Sequence, residues 1–150
     1  MILDLFKKMP SIGATDMHLS AGMPPAFRIQ GTLQRTTMEP TTSEKIFEEF
    51  QSILSDTQKK KFEENWDLDF CYHMEGVGRF RSNVLKTRLG YGFIARYLPE
   101  KIPTAEEIGL SDTSMKLTHH HQGLVLVTGP IRSGKTTTIA AMIQAINTHE

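Results

Sequence analysis

Eight consecutive residues carry the densest chemistry in the chain: Gly129, Pro130, Ile131, Arg132, Ser133, Gly134, Lys135 and Thr136. Glycine, four variable positions, glycine, lysine and a hydroxyl residue form the Walker A pattern of a phosphate-binding loop. Each residue type has a physical task. Successive backbone N–H groups of such a loop point inward at phosphate oxygens. Gly134 withdraws a Cβ where backbone and phosphate come closest, and Lys135 offers a mobile ammonium to the β- and γ-phosphates. Thr136 supplies a hard hydroxyl oxygen suited to Mg²⁺. Thr137 follows it and completes the candidate contacts for ATP with Mg²⁺. At ordinary residue frequencies, a chance match in a chain of this length is about one in two hundred.

Two elements must hold that loop in place. The continuous apolar run Gly123, Leu124, Val125, Leu126, Val127 and Thr128 predicts a strand covered on both faces of a parallel sheet. A helix is expected over residues 136–147, with Ile139, Ala140, Met142, Ile143 and Ile146 on one stripe. The positive end of its dipole would face the same anion.

Upstream the texture is different. Residues 16–20 predict a strand, and the segments 26–30 and 33–36 flank Gly31 and Thr32 as a hairpin. Thr41 and Glu44 have capping-box spacing for a helix bearing Ile46, Phe47, Phe50, Ile53 and Leu54 on one side. Ser55 and Gln58 repeat the box for a helix ending near Asn65. Leu68, Phe70, Tyr72 and Met74 alternate with Asp69, Cys71 and His73, the pattern of a strand with one face buried. Segments 79–86 and 91–98, joined by short turns, extend it into an antiparallel sheet. Residues 1–98 therefore read as a small α+β domain. Pro99 and Pro103 break the regularity. Thr104 with Glu107 caps a short helix stopped by Gly109, and a second short helix over 112–120 completes a linker, 99–122.

Composition narrows the function. The 150 residues hold 17 Lys+Arg and 17 Asp+Glu, a formal net charge of zero, which excludes nucleic-acid binding by bulk basic charge. No apolar run reaches the roughly 18 residues of a transmembrane helix, and the start lacks the pattern of a signal peptide. A single cysteine, Cys71, forms no internal disulfide and reads as a small strand residue. These bounds predict a soluble protein of a reducing compartment. His119, His120 and His121 point in different directions on a helix and read as a polar helix end rather than a metal site. His18 reads as a packed strand residue. Arg79, Arg81, Arg88 and Arg96 cluster on adjacent strands, and spacing alone leaves both a solvated face and phosphate contact open.

Residues 15–25, followed by Arg28 and Gly31, resemble the opening of the PilT-like type IV pilus retraction ATPases. Residues 78–83, with Arg79, Phe80, Arg81 and Asn83, resemble that family's arginine-bearing strand. Residues 90–96 with Leu98 and Pro99 resemble the segment after it, and residues 123–130 its lead into Walker A. The resemblance implies a PAS-like domain over 1–98, then the start of an α/β RecA-like ATPase domain over 123–150. It implies a cytoplasmic homo-hexamer working with the pilus machinery at the inner membrane, with Arg79, Arg81 and Arg96 sensing phosphate. The short segment before Asp16 favours retraction over pilus assembly or type II secretion. Two positions depart from the pattern: Ile131 and Arg132 replace a usual Thr and Gly, and Arg88 stands one place before the usual arginine position, held here by Leu89. Arg132 would cost about 1–2 kcal/mol if its φ is positive. The family's Walker B acid and catalytic glutamate have no counterpart in these 150 residues. The expectation is the front part of a larger protein, or a truncated product, that binds ATP without turning it over alone. A non-catalytic interaction module with a vestigial loop is the alternative from another class.

Overall fold

The computed structural model describes residues 1–120, 122–130 and 133–149, the side chain of His149 excepted. The chain divides into two compact units, residues 1–100 and 101–150.

The first unit is built on one six-stranded antiparallel sheet. Helix α1 spans Ile2–Ser11, followed by β1 (Ala14–Ser20), β2 (Ala26–Ile29) and β3 (Thr32–Arg35). Helices α2 (Ser43–Gln51) and α3 (Asp56–Asn65) follow, then β4 (Asp67–Met74), β5 (Gly78–Thr87) and β6 (Gly90–Pro99). The strand order is β3-β2-β1-β6-β5-β4, so β1 lies between β2 and the last strand of the unit. Alternation works as expected. Phe70 and Met74 of β4, Phe80 and Val84 of β5, and Phe93 and Ala95 of β6 are buried together with Met17, Leu19 and Phe27. Helix α1 adds Ile2, Leu5, Phe6 and Met9 to this core, and Phe6 stacks on Phe80 at 3.9 Å between ring centroids. The opposite face of the sheet carries Asp16, Arg81 and Arg96, with Ile94 and Leu98 exposed beside them.

Three local expectations change. Helix α1 occupies what read as a short leader. The cap of α2 is Thr42, whose hydroxyl accepts from the Lys45 N–H at 3.2 Å. Thr41 is instead buried, its backbone N–H donating to the Met23 carbonyl at 3.0 Å. At α3 both hydrogen bonds of the Ser55–Gln58 capping box are present. Finally, Arg88 and Leu89 form the hairpin loop between β5 and β6 rather than adjoining strand positions.

In the second unit, Thr104 and Glu107 make the reciprocal cap bonds at 2.8 and 3.1 Å, yet residues 105–109 form turns, not a helix. Helix α4 is one turn, Asp112–Met115, and continues as a 3₁₀ turn over Lys116–His119. Helix α5 spans Lys135–His149. Residues 123–129 pair with no strand among the described residues, and Leu124 and Leu126 are 83% and 74% exposed. The two-sided cover of a parallel-sheet strand, which helices on both faces would supply, is absent there among the described residues. On the apolar stripe of α5, Ile139, Ile143 and Ile146 are exposed and Ala140 and Met142 half-buried, and the one buried residue among the described residues of this helix is Ala141. With Ala145, Ala141 lines a pocket shared with Ala105 and Met115 of the same unit.

Candidate functional site

The loop residues 129, 130 and 133–137 lie at the head of α5, where the first backbone N–H groups of a helix have no carbonyl partner within it. Ser133, Gly134, Lys135, Thr136 and Thr137 line a cavity of about 230 Å³. Gly134 has φ +87° and Gly129 φ +153°, conformations that L side chains rarely adopt. A Cβ on Gly129 would also stand 2.8 Å from the Ser133 hydroxyl. The two invariant glycines of the pattern thus sit where the backbone requires them. Ile131 and Arg132 lie outside the described residues, as does His121.

Lys135 has turned back on its own loop. Its Nζ donates to the carbonyls of Gly129 at 2.8 Å and Pro130 at 2.6 Å. No carboxylate pairs with it among the described residues. The ammonium is therefore poised over the loop by neutral acceptors, which a phosphate oxygen can replace with a charge-assisted bond. The hydroxyls of Ser133, Thr136 and Thr137 around this cavity are oxygen donors of the kind Mg²⁺ accepts.

The arginines belong to the first unit. Arg79 and Arg81 stand two residues apart on β5 and so share one face. Arg81 is directly opposite Arg96 of β6, whereas Arg79 is opposite His73 on β4 and Leu98 on β6. Arg88 falls at the far end of β5. It lines a groove of about 590 Å³ with Arg35, Met23, Leu89 and Tyr91 and does not join the other three.

Sequence reasoning missed the group that organises this face. Asp16 of β1 is opposite both Arg28 of β2 and Arg96 of β6. Its carboxylate is 5% exposed and accepts from Arg96 Nε at 2.9 Å and from the Thr15 hydroxyl at 2.8 Å, with Arg28 Nε at 3.5 Å. Eighty residues separate Asp16 from Arg96, so only the strand order brings them together. Two residues along, the Nε2 of His18 is buried with no hydrogen-bond partner among the described residues. Burial holds this imidazole below its ordinary pKa of 6.5; the Arg28 charge adds to the effect and Asp16 opposes it. His119 and His120 join no cluster of three ligating side chains among the described residues, and Cys71 is an exposed free thiol. Among the described residues, no helix is long and apolar enough to cross a membrane.

A glycine-framed loop opening a helix, with a lysine and hydroxyls around the cavity, defines the class: a P-loop protein of mixed α/β architecture. A family profile described as "Type II/IV secretion system protein" matches residues 11–150, and the chain belongs to that family. Within it, the chain is similar to the PilT-like pilus retraction ATPases. It is 41% identical over 135 residues to the "Type IV pilus retractation ATPase PilT" of Pseudomonas aeruginosa, covering 90% of this chain and 39% of that protein. A crystal structure of the pilus retraction motor PilT with bound ADP matches with a TM-score of 0.82 and 42% identity, over 97% of this chain and 43% of that one. The ATPase DotB of Legionella pneumophila shares the fold, with a TM-score of 0.81 at 22% identity over 97% of this chain and 42% of its own. The chain spans about two fifths of the length of the relatives it matches.

Proposed function

We propose that this chain is the nucleotide-binding front of a motor ATPase that powers type IV pilus retraction. The observation that carries the proposal is the complete Walker A sequence, Gly129 to Thr136, opening helix α5. Identity of 41% to a retraction ATPase supports retraction over secretion as the work performed. In this reading residues 1–98 are a PAS-like domain, 99–122 a linker, and 123–150 the first βα unit of a RecA-like ATPase domain. Gly129, Pro130, Ile131, Arg132, Ser133, Gly134, Lys135, Thr136 and Thr137 hold the phosphates of ATP. Thr136 holds Mg²⁺, which would neutralise phosphate charge when bound.

Phosphoryl transfer to water is run almost wholly by positioning and charge. Lys135 would leave the Gly129 and Pro130 carbonyls for the β- and γ-phosphates, and backbone N–H groups at the head of α5 would fix the chain of phosphates in line. Arg79, Arg81 and Arg96 would contribute charge to phosphate from the face of the sheet opposite the core. These 150 residues bind nucleotide without turning it over by themselves, and the working assembly is a cytoplasmic homo-hexamer at the pilus base on the inner membrane.

Calorimetric titration of ATP with Mg²⁺ into the chain tests the site. Lys135→Ala should weaken binding at least about tenfold, the loss expected when one charge-assisted contact to phosphate is removed. Equal affinity in the variant would refute the assignment.

A further inference from the structure

Asp16 and Arg96 form an asymmetric pair. The carboxylate is 5% exposed, while the guanidinium it grips is 57% exposed. The grip falls on Nε, the inner corner of the guanidinium, at 2.9 Å. An arginine has five N–H donors in a planar fork. Held at Nε, the group loses part of its rotamer freedom, while the N–H donors of its outer edge stay free for a second oxyanion. The Thr15 hydroxyl at 2.8 Å and Arg28 at 3.5 Å fix the other carboxylate oxygen, so the anchor is itself anchored. On the other side of Arg96 stands Arg81, directly across the ladder. Two like charges in register repel and destabilise a sheet. Asp16 offsets part of that repulsion and leaves a pair of outward cations side by side.

We propose that Asp16 is a positioning residue, which through Arg96 Nε aligns the Arg96 and Arg81 guanidiniums as a joint site for a phosphate oxyanion. The inference rests on the phosphate-facing role proposed above for Arg81 and Arg96. A rival explanation makes Asp16 a structural staple that joins β2, β1 and β6 and nothing more. The two differ in sign. Neutralising a carboxylate beside three arginines raises the local positive potential, which by Coulomb attraction alone tightens anion binding. Loss of alignment weakens it.

The test uses the 150-residue chain and inorganic tripolyphosphate as probe, read from the arginine Nε–Hε signals by ¹⁵N nuclear magnetic resonance. These signals separate this face from the Walker A loop. In the unsubstituted chain the Arg81 and Arg96 signals should shift together and saturate. With Asp16→Asn, the dissociation constant read at Arg81 should rise about fivefold, the usual effect of freeing one rotamer-rich side chain. In the Arg96→Ala background the same substitution should bring no further loss, because the alignment runs through Arg96 and only the Coulomb effect of the lost carboxylate is left. Asp16→Glu keeps the charge and displaces the carboxylate by one methylene. A comparable loss is expected there, which serves if the asparagine variant does not fold. Binding that is equal or tighter in the Asp16 variants overturns the positioning role. If Arg96→Ala leaves the Arg81 titration unchanged, the phosphate-facing reading of the pair falls first, and the positioning role with it.

Discussion

Replacing Phe6 by alanine tests the packing of α1 on the sheet. Phe6 is fully buried and lies parallel to Phe80, at 3.9 Å and 6° between planes, with Tyr72 at 5.8 Å and Phe93 at 6.1 Å. Truncation removes a whole ring from a site whose walls belong to β4, β5 and β6, which cannot collapse into the gap. The expected loss is about 4 kcal/mol, within the range for buried Phe to Ala. A domain of this size has roughly 5–15 kcal/mol in total, so the midpoint temperature should fall by roughly 15–30 °C. The single tryptophan, Trp66, reports on the first unit alone, since it caps α3 and carries Lys86 over its ring at 3.6 Å. Urea unfolding followed by its fluorescence gives the free energy directly. Leu3→Ala, on the outer side of the same helix, should lose under about 0.5 kcal/mol. If Phe6→Ala lost less than about 1 kcal/mol, α1 would not be part of the core and the reasoning would fail.

Two further outcomes follow from local geometry. The folded state holds His18 below 6.5, so it binds fewer protons than the unfolded chain as pH falls through that value, and stability declines on the acid side. His18→Gln should flatten this decline in urea titrations run at successive pH values; an unchanged slope would refute it. Ser55→Ala removes the hydroxyl that accepts from the Gln58 N–H, leaves the backbone half of the α3 capping box in place, and should lose about 1 kcal/mol, measured in the same way.

The loop was legible because everything it needs is local: eight adjacent residues carry the glycines, the lysine and the hydroxyl. Strands β4 to β6 were legible for a related reason, since period-two alternation over eight to ten residues leaves one register that buries Phe70, Phe80 and Phe93. Helix α1 was missed, although Ile2, Leu5, Phe6 and Met9 lie at helical spacing; the helix has no side-chain N-cap and carries Pro10 within it, so its ends lack the usual sequence signals. Thr41 and Thr42 are the same residue type one step apart. The choice between them was made by a distant contact, the bridge from Thr41 to Met23. The Asp16–Arg96 pair had no local signal, because strand order alone decides which arginine meets the carboxylate. The stripe on α5 was legible as apolar, but its exposure was not, since a helix pattern says which residues share a face and not what covers it.

The placement of β1 inside the sheet has a kinetic consequence for synthesis. Strands β2 and β3 can fold onto β1 as soon as they emerge, but the other edge of β1 stays open until residues 90–99 arrive. Closing a loop of about eighty residues is slow compared with forming the hairpins on either side of it. The ribosome therefore releases a three-stranded ribbon early and carries it with one raw edge through the making of α2, α3, β4 and β5. Helices α1 and α2, both made before β6, are in position to cover its apolar face during that wait. The docking of β6, which sets Arg96 against Asp16, is the closing event of the first unit, and it falls as the loop-bearing second unit is starting to be made.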